Sequence, residues 1–487
     1  MSKTHANISE IHFWTVSVVC VFAVALSFST VFYPRAAIGV VFGFLAFALV
    51  LVAKRPWTYT IWIAIFGLAI WSYGFNNIPL VRPLPLVDAL VFFAVVFSLP
   101  YWWPLRKITA VRRLLVLLSA LMLIVFFRFL FDIPRFGLLA VRDALFAFEL
   151  WVLLPAIALG LMLGHQRLNR HLLWIFSLAT AWFLLYPWRE AITAMSPIFG
   201  IQRPVPLFAF TTAGFVSVPA FFWFLWHRRS MGGTLLAAAT LLVLLLAQSR
   251  GSYIAFFGSL IALFLLQPAT VKRWWRLALA GVVLGGILGV VGGSFTGRLD
   301  EPIGIDTVVE QLQTLTGKEG PGAGSFHHRL VAWPMVIQQV LNEPLGPLIG
   351  VGLGVDLFQG FALGPDIPVR KPHNDFLEIW ARLGVIGFLP WLGLLVVLGV
   401  EAVRGVRQSS RHVWVLTLQI ALWVKCISQP AMGFAYITVV WAGLTGLWLG
   451  AQLREQGLLP VKPFLQSFNN RQNAHPSRPH PLPPTRR

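Results

Sequence analysis

Long apolar runs separated by short charged or Pro/Gly-rich breaks recur along almost the whole chain. Each run is close to the roughly 20 residues a helix needs to cross a bilayer. The runs predict spans at 13–33, 36–53, 59–75, 85–103, 114–131, 138–163, 172–188, 206–226, 233–248, 251–267, 277–293, 376–400, 413–429 and 434–452. This is the pattern of an all-α integral membrane protein, a polytopic bundle of about 12–14 transmembrane helices. The first run follows a weakly basic start at Lys3. It is long for a signal core and has no small-residue cleavage site after it, so it is predicted to stay as a helix.

Two regions break the pattern. The loop 294–375 is long enough to require a fold or a function of its own. It contains a Gly-rich break (317–325), helical apolar spacing from Phe326 to Leu341 and the glycine-rich turn PLGPLIGVGLGV. The last segment, 453–487, is rich in Pro, Asn, Arg and His, and predicts a disordered basic tail. The chain therefore divides into N-terminal helices (1–200), a core with the large loop (201–452) and the tail (453–487).

Composition agrees. The chain is 57% hydrophobic and 11% charged, where a soluble domain is about 25% charged. A soluble or disordered protein is excluded. The net charge of +20 raises the question of nucleic acid. Its location answers it. With the N-terminus inside, the inner segments hold most of the cations, among them Arg55, Arg106, Lys107, Arg112, Arg113, Arg167, Arg170, Arg404, Arg411 and Arg454. The inner acids are only Glu10, Glu401 and Glu455. The excess positive charge is a topology signal and requires no nucleic-acid partner. Cys20 and Cys426 both lie in apolar runs, which fits neither a CxxC metal site nor a disulfide.

Four polar features fall on the outer side in that topology. They are Arg203 in IQRPVPLF, the Ser249–Arg250–Gly251 break, His327, His328 and Arg329 in HHRLVAWP, and RKPHNDFLEIWARLG. The last contains Arg370, Lys371, His373, Asn374, Asp375, Glu378 and Arg382. A cation in or beside an apolar stretch is costly and needs a cavity or a partner. Guanidinium groups bind phosphate oxygens bidentately, and a histidine titrating near neutrality takes a proton from a hydroxyl. Together they suit a phosphate-bearing substrate and a base. Each feature also has a plainer reading. Arg203 is then an interfacial cation, Ser249–Gly251 a turn, and Asn374 or Asp375 a helix cap with His373 idle. The GVGLGV run is read as a tight turn, because no βαβ unit surrounds it. His327 and His328 lack the Cys or acidic neighbours of a metal site. Among the acids in the spans, Asp143 is expected to pair with its neighbour Arg142.

AQSRGSYIAF, the Arg329-x-x-x-Trp333 spacing, PLGPLIGVGLG and KPHNDFLEIWARLGVIGF, in that order, resemble the O-antigen ligase and polymerase superfamily of bacterial inner membranes. The resemblance runs from about 203 to about 389. It implies a GT-C-like helical bundle with one large periplasmic loop, in the inner membrane with its site facing the periplasm. The implied activity is metal-independent transfer of a glycan from undecaprenyl diphosphate to an acceptor hydroxyl, with no cofactor. The acceptor is lipid A core for a ligase, the favoured form, or a growing glycan for an O-antigen or exopolysaccharide polymerase. His373, Arg250 and Arg203 take the catalytic places in this resemblance, with Arg189 as the rival of Arg203. Arg329, Arg370, Lys371, Asn374, Asp375, Glu378 and Ser249 are expected to bind substrate. A flippase or transporter of lipid-linked sugar is the alternative from another class. It calls for polar groups leading to both faces and for internal repeats, and neither is seen.

Overall fold

The computed structural model describes residues 55–81, 84–195, 207–227, 230–268, 274–291, 323–358 and 371–458, with isolated positions between 297 and 313. The first two expected spans, most of the large loop before 323 and the basic tail from 459 onward lie outside the described residues, while the start of that expected tail, 453–455, completes the last helix.

In chain order the elements are α1 (Pro56–Asn76), a two-stranded antiparallel ribbon of β1 (Pro79–Val81) and β2 (Leu84–Pro85), α2 (Leu86–Phe97) and α3 (Leu99–Trp102). Then come α4 (Thr109–Phe136), α5 (Leu138–Glu149), α6 (Leu153–Leu184), α7 (Arg189–Met195), α8 (Phe210–His227), α9 (Met231–Ala247), α10 (Arg250–Leu266) and α11 (Trp274–Val291). The loop contributes α12 (Ala323–Asn342) and α13 (Gly346–Ile349). The chain then continues as α14 (Asp375–Gln408), α15 (Val413–Ser428) and α16 (Ala435–Glu455). Among the described residues, five helical stretches are long and apolar enough to cross a membrane, or six if the bent pair at 86–107 counts as one. The protein is an all-α polytopic membrane protein.

α16 is the hub. It is apolar on every side and buried along its candidate span, as a helix enclosed by others must be. Its Gly446 and Gly450 face α6 so closely that a Cβ on either would strike the Leu153 or Ile157 carbonyl. Small residues at such crossings let helix backbones meet where lipid offers no hydrophobic driving force. α4 shows the opposite pattern, with Phe126, Phe127, Leu130 and Phe131 exposed. Apolar side chains facing outward are what a lipid-contacting helix presents.

Two helices are broken by glycines. Gly164 (φ 67°) interrupts α6, just before the Arg167–Arg170 segment expected to be an inner loop between the spans 138–163 and 172–188. Gly384 (φ 62°) interrupts α14. Gly384 lies against the Leu348 carbonyl, and Gly350 (φ 76°) against the backbone of Arg382, so neither position has space for a Cβ. The glycine-rich turn is thereby seated on the break in α14.

The ends of α14 carry different chemistry. At the C-terminal end, Arg404 pairs with Glu401 (2.7 Å), and the following turn places Arg411 in a fork on Glu455 (3.0 and 2.7 Å). Arg454 donates to the Met162 carbonyl there (2.6 Å). The motif that begins at Lys371 sits at the N-terminal end.

Candidate active site

The site is built on the first turn of α14. Asn374 is extended (φ −152°), and its Oδ1 accepts from the Leu377 N–H (3.1 Å). This is an N-cap, the plainer of the two readings of Asn374. Asp375 and Glu378 follow in the first turn, where the helix dipole favours acids. His373, immediately before the cap, is left-handed (φ 52°). Few non-glycine residues adopt that conformation, and where they do the surroundings must hold them.

Two contacts hold this turn. Trp333 of α12 donates its indole N–H to the Pro372 carbonyl (2.8 Å). His373 Nδ1 lies 3.0 Å from the Lys371 carbonyl oxygen. A carbonyl only accepts, so Nδ1 carries the proton and the Nε2 lone pair is left for other chemistry. Burial pushes the imidazole pKa below its ordinary value, and the nearby charges of Arg329 and Lys371 push the same way. The backbone bond and the Glu378 carboxylate oppose them without cancelling the shift. His373 is therefore neutral at pH 7, the state of a general base.

Beneath the turn lies a buried ionic network. Arg382 pairs with Glu378 (3.0 Å), one turn earlier on α14, and with Asp143 of α5 (2.8 Å). Lys371 lies 3.2 Å from Glu378 and 3.9 Å from Asp143. The expected Arg142–Asp143 pair is corrected here: Asp143 faces Arg382 and Lys371, because adjacent residues on a helix point in different directions. The glycine-rich turn closes the network. The Gly354 N–H donates to Asp143 (2.9 Å) and the Leu353 N–H to Asp132 (2.7 Å), while Asp132 pairs with Arg128 (2.8 Å). Arg382 also donates to the Val355 carbonyl (3.1 Å). The GVGLGV run is a tight turn, among the described residues no βαβ unit surrounds it, and Gly350, Gly352 and Gly354 all have positive φ.

The Ser249–Gly251 break joins from the side. Gln248 ends α9 in the left-handed region (φ 42°), and Arg250 begins α10. The fully buried Lys425 of α15 reaches the hydroxyls of Ser249 (3.3 Å) and Ser252 (3.2 Å). The loop after α15 then bonds the other motif, where the Met432 N–H donates to Asp375 (3.0 Å). One helix end and its loop thus tie both motifs together.

The expected site residues separate into groups. Lys371, His373, Asn374, Asp375 and Glu378 share one turn, with Arg329 in electrostatic reach of His373. Asn374, Asp375 and Glu378 use their side chains within the protein. Ser249 and half-buried Arg250 lie at the neighbouring helix break. Arg189 sits over the Tyr186 ring (4.9 Å) at the start of α7. Arg203 and Arg370 lie outside the described residues, as do the side chains of His327 and His328. Lys425, Asp132 and Trp333 were not among the expected site residues. The signal for the first two was an ionisable residue within an apolar stretch, and for Trp333 its spacing from Arg329.

At the opposite end of α14, His165, His412 and Glu455 bring possible metal-ligand atoms within 4.8 Å of one another. Trp448 donates to His412 Nδ1 (2.9 Å) and Arg411 holds both Glu455 oxygens. His412 Nδ1 and both Glu455 oxygens are thus already engaged, and His165 Nε2 lies 3.6 Å from Glu455 Oε2.

Residues 235–392 match the family model described as O-antigen ligase. The match runs from α9 through the loop and the His373 turn into α14. No curated protein matches the chain.

Proposed function

We propose that the chain, whose residues 235–392 match the O-antigen ligase family model, moves a glycan from undecaprenyl diphosphate to an acceptor hydroxyl at the periplasmic face of the bacterial inner membrane. The favoured acceptor is lipid A core. The observation that carries this reading is the state of His373, neutral and strained, with Nδ1 tied to a carbonyl and Nε2 left as base.

The acceptor oxygen attacks the anomeric carbon and loses its proton to His373 Nε2. The bond from that carbon to the diphosphate oxygen breaks, and its electron pair leaves on the diphosphate. Negative charge builds there, and Arg250 with Arg203 stabilises it. A single displacement inverts the anomeric configuration. Arg329, Arg370, Lys371, Ser249 and Arg189 are assigned to holding the diphosphate and adjoining sugar. Asn374, Asp375 and Glu378 act through position. Their bonds fix the turn on which His373 is presented.

The test is reconstitution of the purified protein with a lipid-diphosphate-linked oligosaccharide and candidate acceptors, beside Arg250→Ala. Transfer to lipid A core, lost in a well-folded Arg250→Ala, supports the ligase reading. Growth of the glycan on its own carrier makes the protein a polymerase with the same site. Movement of lipid-linked sugar across the bilayer without transfer overturns the proposal.

A further inference from the structure

A cavity of about 500 Å³ opens between the second half of α12, the glycine-rich turn and the end of α4. Gln338, Gln339, Asn342 and Glu343 line it from α12, and Arg135 and Phe136 from α4. Phe358 completes an apolar wall. Three planar amides beside aromatic surface suit a ligand with many hydroxyls and apolar ring faces, and a few placed polar groups in an otherwise apolar pocket are what fixes orientation. One guanidinium and one carboxylate oppose each other in charge, so the lining favours a neutral ligand over a phosphate. Gln339 adds a directional group. Its Nε2 donates to the Asp356 carbonyl (3.3 Å), while its Oε1 is buried with no hydrogen-bond partner.

We propose that this cavity is a carbohydrate subsite, holding a sugar residue of a glycan substrate through Gln338, Gln339 and Asn342. The inference rests on the glycan-transfer reading and extends it to a second place on the protein. Two connections couple the cavity to the reacting centre. Trp333, which holds the His373 turn, and Gln338 share α12, about 8 Å apart along its axis. Val355, on the cavity wall, accepts from Arg382 of the network beneath His373. Sugar bound here places remote binding energy where it positions the reacting end of the same chain.

The donor and the acceptor both carry sugar, and the experiment separates them. Full-length protein in lipid nanodiscs is dialysed against three probes. These are the donor glycan freed from its lipid diphosphate by mild acid, the sugar portion freed from the acceptor lipid, and inorganic pyrophosphate. Wild type is compared with Gln338→Ala/Asn342→Ala and with Gln339→Leu. Gln338 and Asn342 are exposed, so the double variant keeps its fold, verified by an unchanged unfolding temperature. The subsite predicts that one released glycan binds roughly tenfold more weakly to both variants, with pyrophosphate binding unchanged. Whichever glycan responds identifies the source. Glycan binding that is absent in wild type or equal in wild type and variants, or weakened pyrophosphate binding alone, overturns the subsite. Because this readout needs no turnover, sugar binding without transfer counts against the transferase reading alone. Transfer without sugar binding counts against the subsite alone.

Discussion

Trp333 and Pro372 are joined by one hydrogen bond, indole N–H to carbonyl, across 2.8 Å. The bond links the helix of the large loop to the residue before His373, and so connects the loop's position to the geometry of the proposed base. Trp333→Phe keeps the ring and removes the donor. A typical hydrogen bond of this kind contributes about 1 kcal/mol. The expected result is a fall in kcat of roughly fivefold to tenfold, with little change in unfolding temperature, read from transfer rates and a thermal melt.

The pH profile follows from His373. Its pKa lies below the ordinary 6.5, so the base form persists as pH falls past 6.5 and is lost only at lower pH. The acid limb of kcat/KM is expected below 6.5. Arg329 is one cause of the depression, so Arg329→Gln moves that limb to higher pH. A limb that stays in place in this variant removes Arg329 from the electrostatics of the base. Stability has the same sign. The unfolded chain binds this proton at higher pH than the folded one, so the contribution is full above 6.5 and declines as pH falls.

Asp143 is the hinge of the buried network, facing Arg382, Lys371 and the Gly354 N–H. Removing one partner from a buried ion pair leaves the other charge uncompensated, at a cost of about 3–5 kcal/mol. Asp143→Ala is expected to lower the unfolding temperature strongly. Arg382→Met combined with Asp143→Leu should recover a large part of that loss. A double variant no more stable than Asp143→Ala contradicts this account of the network.

Lys425 holds the Ser249–Gly251 break from within the bundle. Lys425→Met preserves length and apolar packing but withdraws the donors. Transfer is expected to fall roughly tenfold, with the pH limb of His373 unmoved, because the change acts at the neighbouring motif.

Much of this was legible in the sequence, for a physical reason. The bilayer imposes its demand locally, so apolar length alone locates helices. The runs at 251–267, 413–429 and 434–452 correspond to helices at Arg250–Leu266, Val413–Ser428 and Ala435–Glu455. The RKPHNDFLEIWARLG stretch was legible as chemistry because several ionisable residues crowd the mouth of an apolar helix. Pairing was not legible. Asp143 finds Arg382 far along the chain rather than Arg142 beside it. The left-handed backbone of His373 left no trace in composition, since contacts from α12 and Lys371 impose it. Nor did the glycine-rich run announce that it would lie across the break at Gly384.

In the proposed mechanism His373 takes the acceptor's proton. The most direct measurement is the single-turnover rate of glycan transfer in reconstituted His373→Ala, beside wild type at pH 7, with the fold verified by thermal melt. Loss of a general base predicts a fall of roughly 10²–10⁴-fold in that rate. A His373→Ala protein that folds normally and transfers glycan within about threefold of wild type, far short of that range, would contradict the assignment.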